Sequence, residues 1–219
     1  PSLAAEEWKR FLADPEKHWR TGYSAKAIAH CWQEAGGIPS EIINVLNQIV
    51  TLQGIKTIFA IPEHKVPLPG GVRASQNDVW VLAETEESLV SIAVEGKVSE
   101  SFDMTLGEWF IKPSPGKQER LQFLCDQLCL DFPPPDHIRY QLLHRTASAI
   151  IEARRFRTKE AVMVVHTFSP TNEWLADYQN FLALYGLKAA VDEAVSTQLE
   201  SGINLHFAWV HGDEKYLNA

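Results

Sequence analysis

The apolar residues in the first third of the chain recur every three or four positions, the spacing of a helix with one buried face. This pattern predicts helices around Trp8–Leu12, from Ser24 to Trp32, and over Pro39–Leu52. Asp14-Pro15 ends the first pattern and Gly36-Gly37 ends the second, because proline breaks helices and glycine closes them. The N-terminal third is therefore predicted to be helical.

From Lys56 onward the apolar runs become short and rich in β-branched and aromatic residues, as in strands. Three strands are predicted, over Thr57–Ile61, Val79–Ala83 and Leu89–Val94. Only the acidic turn Glu84–Ser88 separates the last two runs. These two are therefore predicted to pair as an antiparallel hairpin that follows the first strand.

The rest of the chain alternates helical and extended patterns. The predicted elements are a short helical piece at Leu106–Phe110, helices over Lys117–Leu130, His137–Arg155 and Trp174–Tyr185, and strands over Ala161–His166 and Asn204–Val210. This order predicts a mixed α/β fold in which at least part of the sheet is antiparallel. No repeat or linker interrupts the pattern, so residues 1–219 are predicted to form one domain.

Composition places the chain among globular proteins. Its 219 residues are 45% hydrophobic and 22% charged, which excludes disordered, collagen-like and coiled-coil classes. No apolar run approaches the roughly 18 residues of a membrane helix, and the acidic start at Glu6-Glu7 does not resemble a signal peptide. The three cysteines are an odd number without framework spacing, so we expect reduced thiols and a cytoplasmic protein without a membrane partner.

The net charge of −8 excludes one class of nucleic-acid-binding protein. An indiscriminate coat protein is normally basic, because counterion release from phosphates supplies most of its affinity. An enzyme that acts on nucleic acid can still be acidic if its positive charge is local and its carboxylates bind metal. The net charge therefore does not exclude an enzyme that acts on nucleic acid, and it does not determine the oligomeric state.

Two carboxylates and an amine stand at informative places in the predicted hairpin. Asp78 precedes one strand and Glu95 follows the next, 17 positions on. In an antiparallel hairpin the start of one strand lies beside the end of its neighbour, so these acids could meet. Lys97 is two positions after Glu95 and points to the same face of an extended chain. The three groups are predicted to share one small volume.

This trio suits metal-assisted hydrolysis. Mg²⁺ binds one or two carboxylates together with water and substrate phosphate, and a lysine can orient the attacking water. Without metal, Lys97 would neutralise the two acids instead. A Glu-x-Lys tripeptide is common by chance, and an aspartate before a strand is a common turn residue. The apolar run Ser91–Val94 before Glu95 favours a buried site over a surface ion pair.

The order of these elements resembles the PD-(D/E)XK nuclease superfamily, whose core is a helix, a three-strand meander, a helix and a fourth strand. The resemblance covers about half of the chain, and the N-terminal helices and a C-terminal helix and strand lie outside this restriction-endonuclease-like core. The runs Gly22–Lys26 and Tyr140–Ser148 are similar to an uncharacterised bacterial family within the superfamily. The resemblance implies a hydrolase that uses Mg²⁺ or Mn²⁺ to cleave nucleic acid, DNA in preference to RNA.

Residue by residue, the resemblance implies that Asp78 and Glu95 are metal ligands, with the Gly96 carbonyl as a third ligand, and that Lys97 is the catalytic lysine. Asn77 stands where many members have proline. Some relatives carry a glutamine followed four residues later by a tyrosine in the next helix. Gln141 matches that glutamine and is the fourth expected catalytic residue, whereas Arg145 occupies the place of the tyrosine.

Several neighbouring polar residues have two interpretations. Gln141, His144, Arg145 and Ser148 share one face of a helix, where they could reach a scissile phosphate or be satisfied polar groups of a half-buried helix. Glu63-His64-Lys65 could add a ligand, but a solvated loop is the favoured prediction. Glu41 could be a further metal ligand from the first core helix, or it could simply favour the helix N-terminus.

Three functions follow from this sequence. The first is a metal-dependent nuclease. The second is a catalytically inactive relative that uses the same fold for binding or assembly, which the acidic charge favours. The third is the effector part of a defence system, which the sequence leaves open.

Overall fold

A computed structural model describes residues 2–219. The helices are α1 (Pro15–His18), α2 (Ser24–Ala35), α3 (Ser40–Leu46), α4 (Leu106–Trp109), α5 (Pro115–Leu128), α6 (Tyr140–Arg155) and α7 (Leu175–Ala183). The strands are β1 (Lys56–Val66), β2 (Ser75–Glu84), β3 (Leu89–Lys97), β4 (Glu160–Thr167), β5 (Glu193–Gln198) and β6 (Asn204–His211). Short 3₁₀ helices cover Ala5–Phe11, Val50–Leu52 and Glu214–Asn218. The mixed α/β class predicted from the sequence is confirmed.

The six strands form one open mixed sheet in the order β1-β2-β3-β4-β6-β5. The first three strands form an antiparallel meander, and β3, β4 and β6 run parallel to one another. The predicted hairpin is confirmed, because Val79 pairs with Val94 and Ala83 pairs with Val90. Edge strand β5, antiparallel to β6, was not predicted.

Helices cover both faces of the central strands. On one face α6 packs across β3 and β4, and its Leu142, Leu143 and Ile150 are fully buried against the sheet. On the other face α2 and α3 pack with Ile28 and Ile42 in the interior. Each fully buried side chain of this size contributes about 1.5–3 kcal/mol to the hydrophobic stabilisation. Burial on both sides explains why β3 and β4 are apolar without interruption over most of their length.

Several predicted elements have different bounds in the structure, among them two helices. The Pro39–Leu52 helix ends at Leu46, where Asn47 accepts the Gly54 N–H on its side-chain oxygen, and Val50–Leu52 continues as a 3₁₀ turn. The His137–Arg155 helix begins three residues later, at Tyr140.

The first strand continues to Val66, beyond the predicted end at Ile61. Pro62 lies inside it, which an edge strand tolerates because one side of its backbone needs no ladder hydrogen bonds. The prediction that Glu63-His64-Lys65 forms a solvated loop is therefore wrong.

Among residues 2–219, no helix is both long enough and apolar enough to cross a bilayer.

Candidate active site

Asp78 and Glu95 lie opposite each other on β2 and β3. The observed pairing ends at Val79 with Val94, and the next position of the same register places Asp78 across from Glu95. Directly opposed residues in an antiparallel pair point to the same face of the sheet. The two acids predicted to meet are therefore brought together, on the face that α6 covers.

The Glu95 carboxylate receives three side chains. Lys97 Nζ donates to Oε1 at 2.7 Å, and Gln141 Nε2 donates to the same oxygen at 2.6 Å. Arg145 Nε donates to Oε2 at 2.5 Å. Lys97 Nζ also donates to Gln141 Oε1 at 3.1 Å. Glu95 and Lys97 are each only 3% exposed, so this is a buried network and not a solvated ion pair.

Alternation and helical spacing explain how these groups converge. Glu95 and Lys97 are two residues apart on β3, and Gln141 and Arg145 are four residues apart on α6, so each pair lies on one face of its element. Arg145 lies at the site as the partner of Glu95, and its contact with a scissile phosphate stays a prediction. Arg145 is a cation that contacts the carboxylate of Glu95 directly.

The Asp78 carboxylate has no cation in contact. Its Oδ2 accepts the Gly96 N–H at 2.6 Å, and among the described residues no salt bridge includes it. Burial, followed by the negative charges of Glu95 and Glu63, raises the pKa of Asp78 well above its usual range. A carboxylate in this position gains strongly from a bound cation.

The ladder of backbone hydrogen bonds between β2 and β3 is interrupted at Gly96. Its N–H bonds the Asp78 side chain instead of a backbone carbonyl of β2. The Lys97 carbonyl accepts from Phe168 N–H on the β4 side, so the Gly96 carbonyl faces the β2 side by alternation. A Cβ at Gly96 would lie 3.1 Å from Ile28 Cδ1 and 3.3 Å from Asp78 Oδ2, which is too close for ordinary contacts. The predicted ligand position for the carbonyl is thus on the Asp78 side.

Glu63 joins the site from β1. It lies between Pro62, which pairs with Val79, and His64, which pairs with Asn77, so it faces Asp78 across the strands. Its Oε2 accepts from Gln76 Nε2 at 2.5 Å. Burial is the largest influence on its carboxyl group and, with the charge of Glu95, raises the pKa of Glu63 to about 7.

The backbone at Glu63 has φ = +53°, a left-handed conformation that is unfavourable for a glutamate. This conformation breaks the alternation of side chains between the two faces of β1. His64 contacts Glu152 of α6 at 3.2 Å, and Glu63 also feels the charge of Arg145 on the same helix. Strain of this kind concentrates at functional sites. No pattern in the sequence indicated this turn of the backbone.

The electrostatics of the site are unbalanced. Three carboxylates, Glu63, Asp78 and Glu95, share two cations, Lys97 and Arg145, and both cations contact Glu95. Burial favours the neutral form of Glu95, but Arg145 and Lys97 hold its pKa below the usual range. Asp78 and Glu63 lack such a cation, and their raised pKa values favour their neutral forms until a cation binds.

His144 and Ser148 lie behind the site. Ser75 Oγ lies 2.8 Å from His144 Nδ1, and Ser148 Oγ donates to the His144 carbonyl. Burial, followed by the charge of Arg145, lowers the pKa of His144 well below its usual range. For these two residues the interpretation as satisfied polar groups is confirmed.

Glu41 does not join the Asp78 site. Its Oε1 lies 3.5 Å from Cys31 Sγ and 3.3 Å from His166 Nε2, on the face of the sheet that α2 and α3 cover. Glu41 of α3, which was expected as a further metal ligand beside Asp78, is therefore not part of this site.

Comparisons with known proteins give one match. A family model described as a domain of unknown function (DUF6946) matches residues 1–214. No curated protein and no solved structure matches the chain.

Proposed function

The chain belongs to the DUF6946 family, and we propose that it is a metal-dependent phosphodiester hydrolase that acts on nucleic acid, DNA in preference to RNA. The observation that carries this proposal is the meeting of Asp78, Glu95 and Lys97 at one end of the β2–β3 hairpin, with Asp78 half-buried and without a cation in contact. A carboxylate pair beside a lysine is suited to holding a divalent ion next to a phosphate.

The path of the chain supports a restriction-endonuclease-like core as part of the proposal. Helix α3, the β1–β3 meander, helix α6 and strand β4 follow one another in the order of the PD-(D/E)XK superfamily. Strand β4 lies parallel to β3, and α6 crosses the sheet beside the paired acids. The α6 residue Gln141 contacts both Glu95 and Lys97, as a catalytic role for it requires.

The residues present fit a hard cation. Asp78 has one oxygen bonded to Gly96 N–H and no bonded partner at the other, and Glu63 supplies a second carboxylate of raised pKa. Asp78, Glu63, Glu95 and the Gly96 carbonyl would hold Mg²⁺ or Mn²⁺ through oxygen, which these ions prefer. The bound ion would lower the pKa of water and stabilise negative charge on the phosphate.

The other side chains act on the substrate and its water. Lys97 has an Nζ that is fixed by Glu95 and Gln141 and lies 4.7 Å from the centre of the Phe102 ring. Held in this way, it can orient the attacking water and stabilise charge on the scissile phosphate. Arg145 supplies a second fixed positive charge to the same volume.

A second candidate function is a non-catalytic binding or assembly module of the same fold. The observation that favours it is the engagement of both Glu95 oxygens by Lys97, Gln141 and Arg145. Metal ligation by Glu95 requires at least one of these hydrogen bonds to loosen.

A cytoplasmic location is the remaining part of the proposal. The three cysteines are unpaired, and Cys31 and Cys125 are buried, which suits a reducing compartment.

The direct test is cleavage of single- and double-stranded DNA and RNA with Mg²⁺ or Mn²⁺. We expect cleavage of DNA by the natural chain and loss of at least about 100-fold in rate for Lys97→Ala. Lys188→Ala, an exposed lysine of the loop after α7, is the control and should cleave normally. Cleavage that persists in Lys97→Ala would exclude this site. A complete lack of cleavage, together with no metal binding, would favour the module.

A further inference from the structure

A second group of metal-ligating side chains lies on the opposite face of the sheet. Cys31 comes from α2, Glu41 from α3 and His166 from β4, and one ligand atom of each lies within 4.8 Å of the other two. The sequence separates these residues by up to 135 positions, so only the fold brings them together. Helices α2 and α3 are placed against the sheet at this point.

Two of the three separations between the ligand atoms fit one tetrahedral ion. Zinc bonds of about 2.3 Å to sulfur and about 2.0–2.2 Å to nitrogen and oxygen place ligand atoms about 3.5 Å apart for S and O, and about 3.3 Å apart for N and O. Glu41 Oε1 lies 3.5 Å from Cys31 Sγ and 3.3 Å from His166 Nε2. Both separations match those of a zinc site.

His166 provides an independent sign of a ligand. Its side chain is fully buried, and Nε2 points into the cluster without a hydrogen bond of good geometry, although Glu41 Oε1 is close. A buried imidazole nitrogen without a well-formed hydrogen bond is costly, and a metal ion can take the place of the proton on that nitrogen.

The cluster borders a cavity. A cavity of about 260 Å³ lies between α2, α3 and the C-terminal 3₁₀ helix, and its lining includes Cys31, Glu41 and Tyr216. It gives an ion access to the ligands and leaves space for water beside them.

We propose that Cys31, Glu41 and His166 bind a zinc ion, with a water molecule from the cavity as the fourth ligand. Thiolate and imidazole select Zn²⁺ over Mg²⁺, which prefers oxygen, so this site differs in chemistry from the one around Asp78. Cys31 binds as the thiolate and releases its proton to solvent. Three protein ligands and one water are the ligand set of zinc sites that keep a position for chemistry.

Trp32 sets the proton position before zinc binds. Its Nε1 donates to His166 Nδ1 at 3.3 Å, so a neutral His166 ring carries its proton on Nε2. Zinc binding at Nε2 moves that proton to Nδ1 and breaks the hydrogen bond with Trp32. Trp32 Nε1 and His166 Nδ1 would then both carry a hydrogen, so one of the two rings must turn away, and the three metal–ligand bonds must offset this cost.

The test uses the full chain with Zn²⁺ and, as a spectroscopic probe, Co²⁺. We expect one zinc per chain after dialysis, and a thiolate-to-cobalt charge-transfer band with Co²⁺. The band should disappear in Cys31→Ser and remain in Cys125→Ser, whose buried thiol lies in the other core. No band in the natural chain, or an equal band in Cys31→Ser, overturns the proposal.

Glu41→Gln provides a second variant that does not disturb the core, since the Glu41 side chain is 28% exposed. Zinc binding should weaken, with a dissociation constant raised more than about tenfold. An unchanged dissociation constant overturns the proposal. Asp78→Asn should retain zinc in full. The test of zinc binding is therefore independent of whether the protein is a nuclease.

Discussion

Arg145 Nε donates to Glu95 Oε2 at 2.5 Å, across the contact between α6 and β3. This bond ties the helix to the strand that carries both Glu95 and Lys97. Glu95 keeps Lys97 as its second cation, so the buried carboxylate is held from two sides.

Removal of Arg145 should destabilise the fold. Arg145→Gln leaves Glu95 with one cation, and breaking a buried ion pair costs about 3–5 kcal/mol. We expect the low end of this range because Lys97 and Gln141 remain. Urea unfolding measures the change. Arg154→Gln, an exposed position of the same helix, should stay within about 0.5 kcal/mol of the natural chain. Equal stabilities of the two variants would show that the Arg145 pair contributes nothing.

Asp78→Asn should stabilise the metal-free protein at pH 8. Because the pKa of Asp78 is raised in the folded state, ionisation of this group opposes folding. The penalty is absent below the unfolded pKa, near 3.8, and grows until the pH passes the folded pKa. We expect a gain of about 1–3 kcal/mol at pH 8, shrinking towards pH 4.

Urea unfolding in the presence of a chelator at both pH values measures this difference. Asp126→Asn, at an exposed position of α5, is the matched control and should change little. A less stable Asp78→Asn at pH 8 would contradict the assignment of an uncompensated buried charge.

Glu63 should make metal affinity depend on pH around neutrality. With its pKa at about 7, Glu63 is protonated below that pH, and the proton competes with a metal ion. Mn²⁺ affinity should therefore rise between pH 6 and 8, and Glu63→Gln should flatten this rise. Calorimetric titration at several pH values provides the measurement. If Mn²⁺ affinity rises with pH as steeply in Glu63→Gln as in the exposed control Glu86→Gln, then Glu63 is not a metal ligand.

Gln141→Ala should impair cleavage without abolishing metal binding. Gln141 contacts Glu95 and Lys97 at once, so its loss frees the lysine from its fixed position. Outer partners of this kind typically contribute about 10–100-fold, which we expect in kcat. The control is Gln122→Ala, on the exposed side of α5. Unchanged kcat in Gln141→Ala would mean that Lys97 needs no support from α6.

Some of the site follows from periodicity alone. The two-residue spacing of Glu95 and Lys97 fixes their common face, and the short acidic turn fixes the hairpin register that places Asp78 opposite Glu95. These features depend on local geometry, which repeats along any strand. For the same reason the pairing of β2 with β3 could be predicted without knowledge of the rest of the fold.

Other parts depend on tertiary contacts that no local pattern encodes. The positive φ at Glu63 is an exception to strand geometry, held by the packing of β1 between β2 and α6. Strand β5 is an edge strand of six residues, of which three are exposed and three are partly exposed. It therefore lacks an apolar signature. The Cys31, Glu41 and His166 cluster joins three elements that are distant in sequence.

The most direct measurement is calorimetric titration of Mn²⁺ into the natural chain, Asp78→Asn and Asp126→Asn at pH 8, with one equivalent of zinc per chain present to fill the thiolate site. We predict that the natural chain and Asp126→Asn bind Mn²⁺ alike and that Asp78→Asn loses this binding. Equal binding by all three proteins, or no binding by the natural chain at millimolar Mn²⁺, would contradict a metal centre formed by Asp78 and Glu95.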